Sequence, residues 1–553
     1  MSNVSGKTDV TPTESKTTST DGNFSHGSRE TPGTSASCKE AERSEKARSQ
    51  NTDMHVIGES DSSIVPEKPA NKGSVPLPAE SAEGRGLTEE NTGQPLLDRT
   101  QSRNSDGRPW VARSRGLQGV REAARRDRRL KFTSLLHHLS EELLRESFLE
   151  LKKPAAPGID DETWRDYAVD FERRIRDLHG RIHRGAYRAK PSKRSYIPKS
   201  DGTMRPLGIA ALEDKIVQQA ARTVLECIYE QDFLGFSYGY RPKRSSHQAL
   251  DALYVGTTKR KVNWIIDADI RGFFDNISHE WLMKFLEHRI ADKRMLRLLK
   301  RWLRAGVSED GEWSPTKVGT PQGAVISPLF ANVFLHYVVD LWINDWRKRQ
   351  ARGEVIIVRY ADDFVVGFRE ESDARRCLAA LGERLVKFGL ELHPEKTRLI
   401  EFGRYAEERR AKRGDGPPES FDFLGFTHIS GKTRRGDFTI HRKTSRKKFR
   451  AKLAELKEKL TRRRHEELAR VGEWLHSVYR GWCQYYAVPG NSIRLQQFRN
   501  AIQGMWLRNL QRRSQRGRRL TWKKFLKLSR RWLPTPKIIH PYPNVRYACQ
   551  HPR

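Results

Sequence analysis

Hydrophobic and polar positions along this chain change their period several times, and each change predicts an element. Over Arg121–Leu151, the residues Leu135, Leu136, Leu139, Leu143 and Leu144 recur at helical spacing, which predicts one or two helices. Val262–Ile270 (VNWIIDADI) is an apolar run that ends in acids and predicts a strand. Val355–Tyr360 (VIIVRY) and Phe364–Phe368 (FVVGF) predict two short strands on either side of Ala361-Asp362-Asp363, a hairpin with carboxylates at its tip. Ser372–Phe388 predicts a helix. Arg446–Leu460 predicts another, with Phe449, Leu453, Leu456 and Leu460 on one face and Lys and Arg on the other. The pattern turns globular from about residue 110. Before about residue 105 the chain is rich in Ser, Thr, Gly, Glu and Pro and poor in aromatics, so disorder is expected there. No internal repeat is visible. The mix of helices and short strands predicts an α+β fold followed by an all-helical basic module.

Composition sharpens this picture. A chain of 553 residues suits about two to four domains, and 13 Trp, 22 Phe and 15 Tyr are enough to build cores. The net charge is +35, yet residues 1–100 hold 11 Lys and Arg against 16 Asp and Glu. The basic excess therefore belongs to the globular part, above all to residues 431–553, with 33 Lys and Arg against 6 Asp and Glu. A polyanionic partner is implied, nucleic acid first and an anionic membrane surface second. No run of about 18 apolar residues exists, so no membrane span is expected. The first residues lack a basic segment followed by an apolar one, so no secretory signal is expected. Cys38, Cys227, Cys377, Cys483 and Cys549 form neither a disulfide framework nor a zinc pattern, which points to a reducing cytoplasm.

The acids at the strand ends suggest a chemistry. Phosphoryl transfer onto a growing strand uses two divalent metals about 3.5–4 Å apart, one on the attacking 3′ oxygen and one on the triphosphate. Mg²⁺ is hard and takes oxygen ligands, so a protein serving this reaction brings aspartates from separate strands to one point. Asp269 at the end of an apolar strand, with Asp362 and Asp363 at the tip of an apolar hairpin, offers that arrangement. A lone Asp-Asp in a hairpin is most often just a turn. Here the flanking strands are strongly apolar, so a core element presents the acids.

Those residues carry a resemblance. Tyr360-Ala361-Asp362-Asp363 resembles the YxDD box of reverse transcriptases, and Asp269-Ile270-Arg271-Gly272-Phe273-Phe274-Asp275 resembles their first carboxylate motif. Further blocks follow in the order found in group II intron-encoded reverse transcriptases and maturases. They are Tyr196-Ile197-Pro198-Lys199, Arg205-Pro206-Leu207-Gly208-Ile209, Ser237-Tyr238-Gly239-Tyr240-Arg241-Pro242, and Gly319-Thr320-Pro321-Gln322-Gly323 with Ser327-Pro328. Leu392-His393-Pro394-Glu395-Lys396-Thr397 and Phe421-Asp422-Phe423-Leu424-Gly425-Phe426 resemble the blocks after the catalytic hairpin. The resemblance spans roughly residues 110–553 and is sharpest through 426. One departure is Ala324, where a second Gly often follows PQG. Another is the long polar tail.

The resemblance implies a right-hand polymerase, with fingers and palm over 106–430 and a helical thumb and maturase region over 431–553, behind a tail over 1–105. It implies Asp269, Asp362 and Asp363 as catalytic metal ligands for two Mg²⁺ ions, with the main-chain carbonyl of Ile270 as a further ligand. Lys199 and Arg205 would grip the incoming triphosphate, as point charge and fork. Phe274 would pack under the sugar and exclude a ribose 2′-OH, and Gln322 would touch nucleotide or template. Lys396 would act near the leaving pyrophosphate. Each of these has a plainer reading as a solvated basic hairpin, a core Phe, a turn residue or a surface ion pair.

Past Phe426 the chain interleaves Arg and Lys with Trp474, Tyr479, Trp482, Tyr485, Tyr486, Trp506, Trp522, Phe525 and Trp532. Cations neutralise phosphates and aromatics stack on unpaired bases, which nominates Arg446, Lys447, Lys448, Arg450, Trp482, Tyr485 and Tyr486 for RNA binding. The alternative is that the rings are the core of a helical bundle and only the charges meet RNA. Arg446–Leu510 resembles the family's thumb and maturase region, with Gly481-Trp482 and Tyr485-Tyr486 echoing one of its segments. The implied partners are a group II intron RNA, an RNA template with a DNA primer, deoxynucleoside triphosphates and target DNA. Cys549, His540 and His551 make no metal site by spacing, so no DNA-cleaving domain is expected. Other readings are a domesticated reverse transcriptase with a defence or cellular role, a maturase-only splicing factor, and a generic nucleic-acid chaperone.

Overall fold

The structure, a computed structural model, describes residues 115–198, 204–316 and 318–550. The disorder expected over 1–105 lies outside the described residues. The strands are β1 Ser192–Pro198, β2 Met204–Ile209, β3 Trp264–Ala268, β4 Val307–Glu309, β5 Glu312–Ser314, β6 Val355–Tyr360, β7 Asp363–Phe368, β8 Arg398–Glu401, β9 Phe421–Phe423, β10 Phe426–Lys432 and β11 Phe438–Thr444. They form a four-stranded sheet β2-β1-β4-β5, a four-stranded sheet β6-β7-β3-β8 and a three-stranded sheet β11-β10-β9. With the many helices this is the α+β fold expected.

The central sheet is covered on both faces, which is why its strands read as continuous apolar runs. Ile266 and Ala268 of β3, with Phe364, Val366 and Phe368 of β7, enter one core. That core continues into the helices Leu212–Asp232, Lys293–Arg304 and Ser327–Leu335. Ile265 of β3, Val358 of β6 and Val365 of β7 point the opposite way into a second core. The strand period of two produces this split. The second core takes Leu250 and Leu253 from the helix Ser246–Lys259 and then runs through Phe426, Leu456, Leu475, Phe498 and Trp506 to Leu533.

Local signals fix the helix ends. The run over Arg121–Leu151 resolves into Arg115–Arg126 and Glu141–Glu150, the second capped by Ser140, whose hydroxyl accepts the Leu143 N–H at 3.3 Å. The helix Ser246–Lys259 begins with a capping box between Ser245 and Gln248. The stretch 431–553 is not all-helical. Its strand β11 pairs antiparallel with β10, and the helices start at Arg446. Ile440, Arg442 and Thr444 are buried at alternate positions, a strand period that the surrounding basic residues mask. Arg442 leads back to the helix Ser246–Lys259, where Asp251 receives it at 3.1 Å, and Arg546 of the C-terminal helix Pro543–Gln550 pairs with the same buried carboxylate.

Candidate active site

β6 and β7 pair with Tyr360 opposite Asp363, so Ala361 and Asp362 alone form the tip of the hairpin. Ala361 has φ +58°, the left-handed region that a two-residue hairpin needs and that costs a residue with a Cβ roughly 1 kcal/mol. β3 lies beside β7 with Ala268 opposite Phe364. Asp269, the next residue, therefore arrives beside the hairpin tip.

The strained turn is held from below by Arg359. This side chain is fully buried within β6 and pairs with the equally buried Asp340 at 2.6 Å. Its Nε donates to Asp340 Oδ1 at 2.7 Å, and its two terminal nitrogens donate to Asn332 Oδ1 at 3.1 Å, Ser237 Oγ at 2.7 Å and the Ala361 carbonyl at 2.9 Å. Asp340 reaches this position from a π-helical stretch, His336–Asp340, inside a longer helix. Gly239 presses on the same turn. A Cβ there would strike the Ala361 nitrogen, and its carbonyl is held by the Asn332 amide at 2.8 Å.

Asp362 and Asp363 both respond to the carboxylates around them. Burial raises the Asp362 carboxyl above its ordinary value, its own backbone N–H opposes this, and Asp269 adds to the rise. Asp363 is exposed, yet desolvation by the protein around it, followed by Asp362, Asp269 and Asp267, pushes it up to about 7. Arg205 of β2 lies near enough to hold Asp362 down, and Lys448 of the helix Arg446–Arg462 does the same for Asp363. Tyr240 is raised by burial and then by Asp362, which puts its ring beside the carboxylates.

The block after the hairpin docks on Asp269. His393 N–H donates to the Asp269 carbonyl at 2.8 Å, and Lys396 Nζ donates to Asp269 Oδ2 at 2.9 Å. Arg271 N–H donates to Glu391 O at 2.9 Å, so the hydrogen bonds of this bridge flank Ile270 and leave its carbonyl out of them. The loop Gly319–Gly323 is clamped between β2 and the short helix Phe273–Asn276. Thr320 N–H donates to Phe274 O at 2.8 Å, and Gly208 N–H donates to Gln322 O at 2.7 Å. Gln322 thus sits between Arg205's strand and half-buried Phe274.

Asp269, Asp362, Asp363, Arg205 and Lys396 are accordingly brought together, Ile270 follows Asp269 in the chain, Phe274 and Gln322 meet the loop that packs on Arg205's strand, and Lys199 lies outside the described residues. Arg446, Lys447, Lys448 and Arg450 are exposed at the start of their helix. The aromatic candidates are placed differently. Trp482 and Tyr486 are buried, with Trp482 stacked on Phe498 at 4.2 Å, and Tyr485 donates its hydroxyl to Leu424 O at 2.7 Å. Rings committed to the core in this way present no free face to a base. The residues that sequence reasoning passed over are Arg359, Asp340, Asn332, Ser237 and Tyr240. The visible signals were the block Ser237-Tyr238-Gly239-Tyr240-Arg241-Pro242, whose residues were given no individual role, and an Arg inside the apolar run VIIVRY, since a charge in a buried strand needs a partner.

Among the described residues, no group of three or more His, Cys, Asp or Glu side chains is closed up as a metal cage. The donor set still suits a hard divalent cation. It is all oxygen, Asp269 lies near enough to raise both Asp362 and Asp363, and a cation already leans on it in the form of Lys396.

An apolar hairpin presenting crowded carboxylates, with Arg205, Lys396 and Lys448 nearby, is an arrangement suited to nucleotidyl transfer. The family described as "Reverse transcriptase (RNA-dependent DNA polymerase)" matches residues 197–428. Protein YkfC of Escherichia coli K12 is 32% identical over 327 residues, 53% of this chain and 81% of that protein. The group II intron-encoded protein LtrA of Lactococcus lactis subsp. cremoris is 39% identical over 189 residues, 34% of this chain and 30% of that protein. The putative COX1/OXI3 intron 1 protein of Saccharomyces cerevisiae is 27% identical over 404 residues, 58% of this chain and 46% of that protein. The chain belongs to the group II intron reverse transcriptase and maturase family, and it is an RNA-directed DNA polymerase. No described helix is long and apolar enough to cross a membrane.

Proposed function

We propose that the chain extends a DNA primer on an RNA template by two-metal phosphoryl transfer, and that it acts with a group II intron RNA in splicing and in intron mobility at a target DNA. The observation that carries the chemistry is the mutual crowding of Asp269, Asp362 and Asp363 over the hairpin tip. Bound there, a pair of Mg²⁺ ions supplies the charge that activates the 3′ oxygen and neutralises the triphosphate. Asp269, Asp362, Asp363 and the Ile270 carbonyl hold them. Arg205 and Lys199 bind the triphosphate. Phe274 excludes the ribose 2′-OH, and Gln322 positions nucleotide or template. Lys396 leaves Asp269 and turns a proton toward the departing pyrophosphate.

The same proposal assigns fingers and palm to residues 106–430 and the thumb and maturase region to 431–553. In that region Arg446, Lys447, Lys448 and Arg450 neutralise RNA phosphates, and Trp482, Tyr485 and Tyr486 shape the surface from behind. The setting is the cytoplasm. The second reading, a maturase-only splicing factor, is supported by the basic C-terminal surface alone.

Primer extension on an RNA template with Mg²⁺, run with deoxynucleotides beside ribonucleotides, tests this. Extension with deoxynucleotides alone supports the polymerase and the gate. No extension, together with tight binding to a group II intron RNA, moves the conclusion to the second reading.

A further inference from the structure

The helix Lys293–Arg304 buries Met295, Leu298, Leu299, Trp302 and Leu303 and turns Arg294, Arg297 and Arg301 to another side. These three stand at i, i+3 and i+7, one stripe of a helix. Opposite them ends the helix Phe171–His183, followed by Arg184. Between the two lies a cavity of about 110 Å³ lined by Arg184, Arg294, Arg297, Arg301 and His183. Arg301 is half-buried and anchored, donating to the carbonyls of Tyr187 at 2.7 Å and Gly185 at 3.2 Å. Arg184, Arg294 and Arg297 are exposed around it.

The charge of this cavity is unbalanced. Arginines within the helix Phe171–His183 are matched to acids: Arg174 meets Glu162 at 2.5 Å, and Arg181 meets Asp177 at 2.7 Å and Glu213 at 2.8 Å. Among the described residues, no ion pair joins a carboxylate to Arg184, Arg188, Arg294, Arg297 or Arg301. The neighbouring acid Asp292 is spent on backbone, accepting the N–H groups of Leu135, Leu136, Arg294 and Met295. Burial, then the guanidiniums of Arg188 and Arg297, hold Arg301 below its ordinary value. Guanidinium forks match the oxygens of a phosphate, and a phosphate here would offset the repulsion.

We propose that this pocket binds a backbone phosphate of RNA, at a site separate from the polymerase cleft. The choice of RNA rests on the reading of the chain as an RNA-dependent enzyme. Arg301 forms the fixed floor of the site, and Arg184, Arg294 and Arg297 close over the phosphate oxygens.

The test measures binding of a labelled RNA stem–loop, and of a DNA stem–loop of the same sequence, to the full chain over a range of KCl concentrations. R294E/R297E is compared with K348E/K387E, which carries the same charge change at exposed positions elsewhere. Arg301 is left alone because it anchors backbone. We expect R294E/R297E to bind RNA about tenfold or more weakly than K348E/K387E. Its salt slope should fall by roughly 0.7–0.9 for each phosphate that is no longer neutralised. R294Q/R297Q should show a smaller loss of the same sign, and thermal melting checks that each variant is folded. Equal losses in the two reversals would reduce the effect to net charge and overturn the site. So would unchanged RNA binding, a loss seen on DNA alone, or a loss seen only in competition by polyglutamate, which would point to an acidic protein. Failure of the unmodified chain to bind RNA or to make cDNA would instead sink the wider reading.

Discussion

Arg359 and Arg297 carry the same guanidinium in opposite settings. Arg359 is sealed beneath the hairpin of the central sheet, with Asp340, Asn332, Ser237 and the Ala361 carbonyl taking its donors. Arg297 stands at the mouth of a cavity among other arginines. Every donor of Arg359 is used, and the fixed geometry that results holds the hairpin turn at Ala361. An exposed cluster of like charges has no internal partner and is resolved by a ligand. The difference teaches that positive charge in this chain serves two ends, rigidity inside and recognition outside.

The largest expected effect separates the two regions outright. D362A/D363A should take cDNA synthesis to background while RNA affinity stays near that of the parent. A double variant that still polymerises would end the assignment of the site. Next, R359M should destabilise the fold by about 3–5 kcal/mol, because it leaves Asp340 buried without its partner. R359M/D340L should recover much of that stability in thermal melting and still extend primers poorly, since the Ala361 carbonyl is no longer held. Full activity in the double variant would show that the clamp does not position the turn.

A smaller effect is expected at the sugar gate. F274A should raise ribonucleotide incorporation relative to deoxynucleotide by about tenfold, read from competing extension reactions. An unchanged ratio would leave Phe274 as a core residue only. The smallest effect concerns pH. Asp363 holds its proton up to about 7, far above an ordinary carboxyl, so the native state keeps a proton that the unfolded chain releases. The stability this confers on the metal-free protein is present at low pH and is lost as pH rises through 7. Metal must displace that proton, so Mg²⁺ should stabilise the protein more at pH 8 than at pH 6. Melting curves with and without Mg²⁺ would check this, and a pH-independent gain would count against Asp363 as a ligand.

Much of the central sheet was legible in the chain because strand period and carboxylate position coincide there. VNWIIDADI and VIIVRY…FVVGF fold as strands within a residue or two of their predicted limits. The clamp was not legible, because Arg359 finds Asp340, Asn332 and Ser237 at separations of 19, 27 and 122 residues. Trp482 and Tyr486 left two readings open for a related reason. An aromatic among arginines looks the same in sequence whether it faces solvent or Phe498. The strand β11 was hidden because its alternation includes Arg442, a buried residue that reads as surface until Asp251 is seen beneath it.

The second core bears on how this enzyme can be cut down. Leu250, Ile265 and Val365 share it with Phe498, Trp506 and Leu533, and Asp251 depends on Arg442 and Arg546 together. A shortened polymerase ending near residue 430 would bare an apolar flank of the central sheet and strand a carboxylate inside the protein. Engineers seeking a compact version should therefore trim surface loops and keep the distal helices, which act as a structural keel for the polymerase they follow.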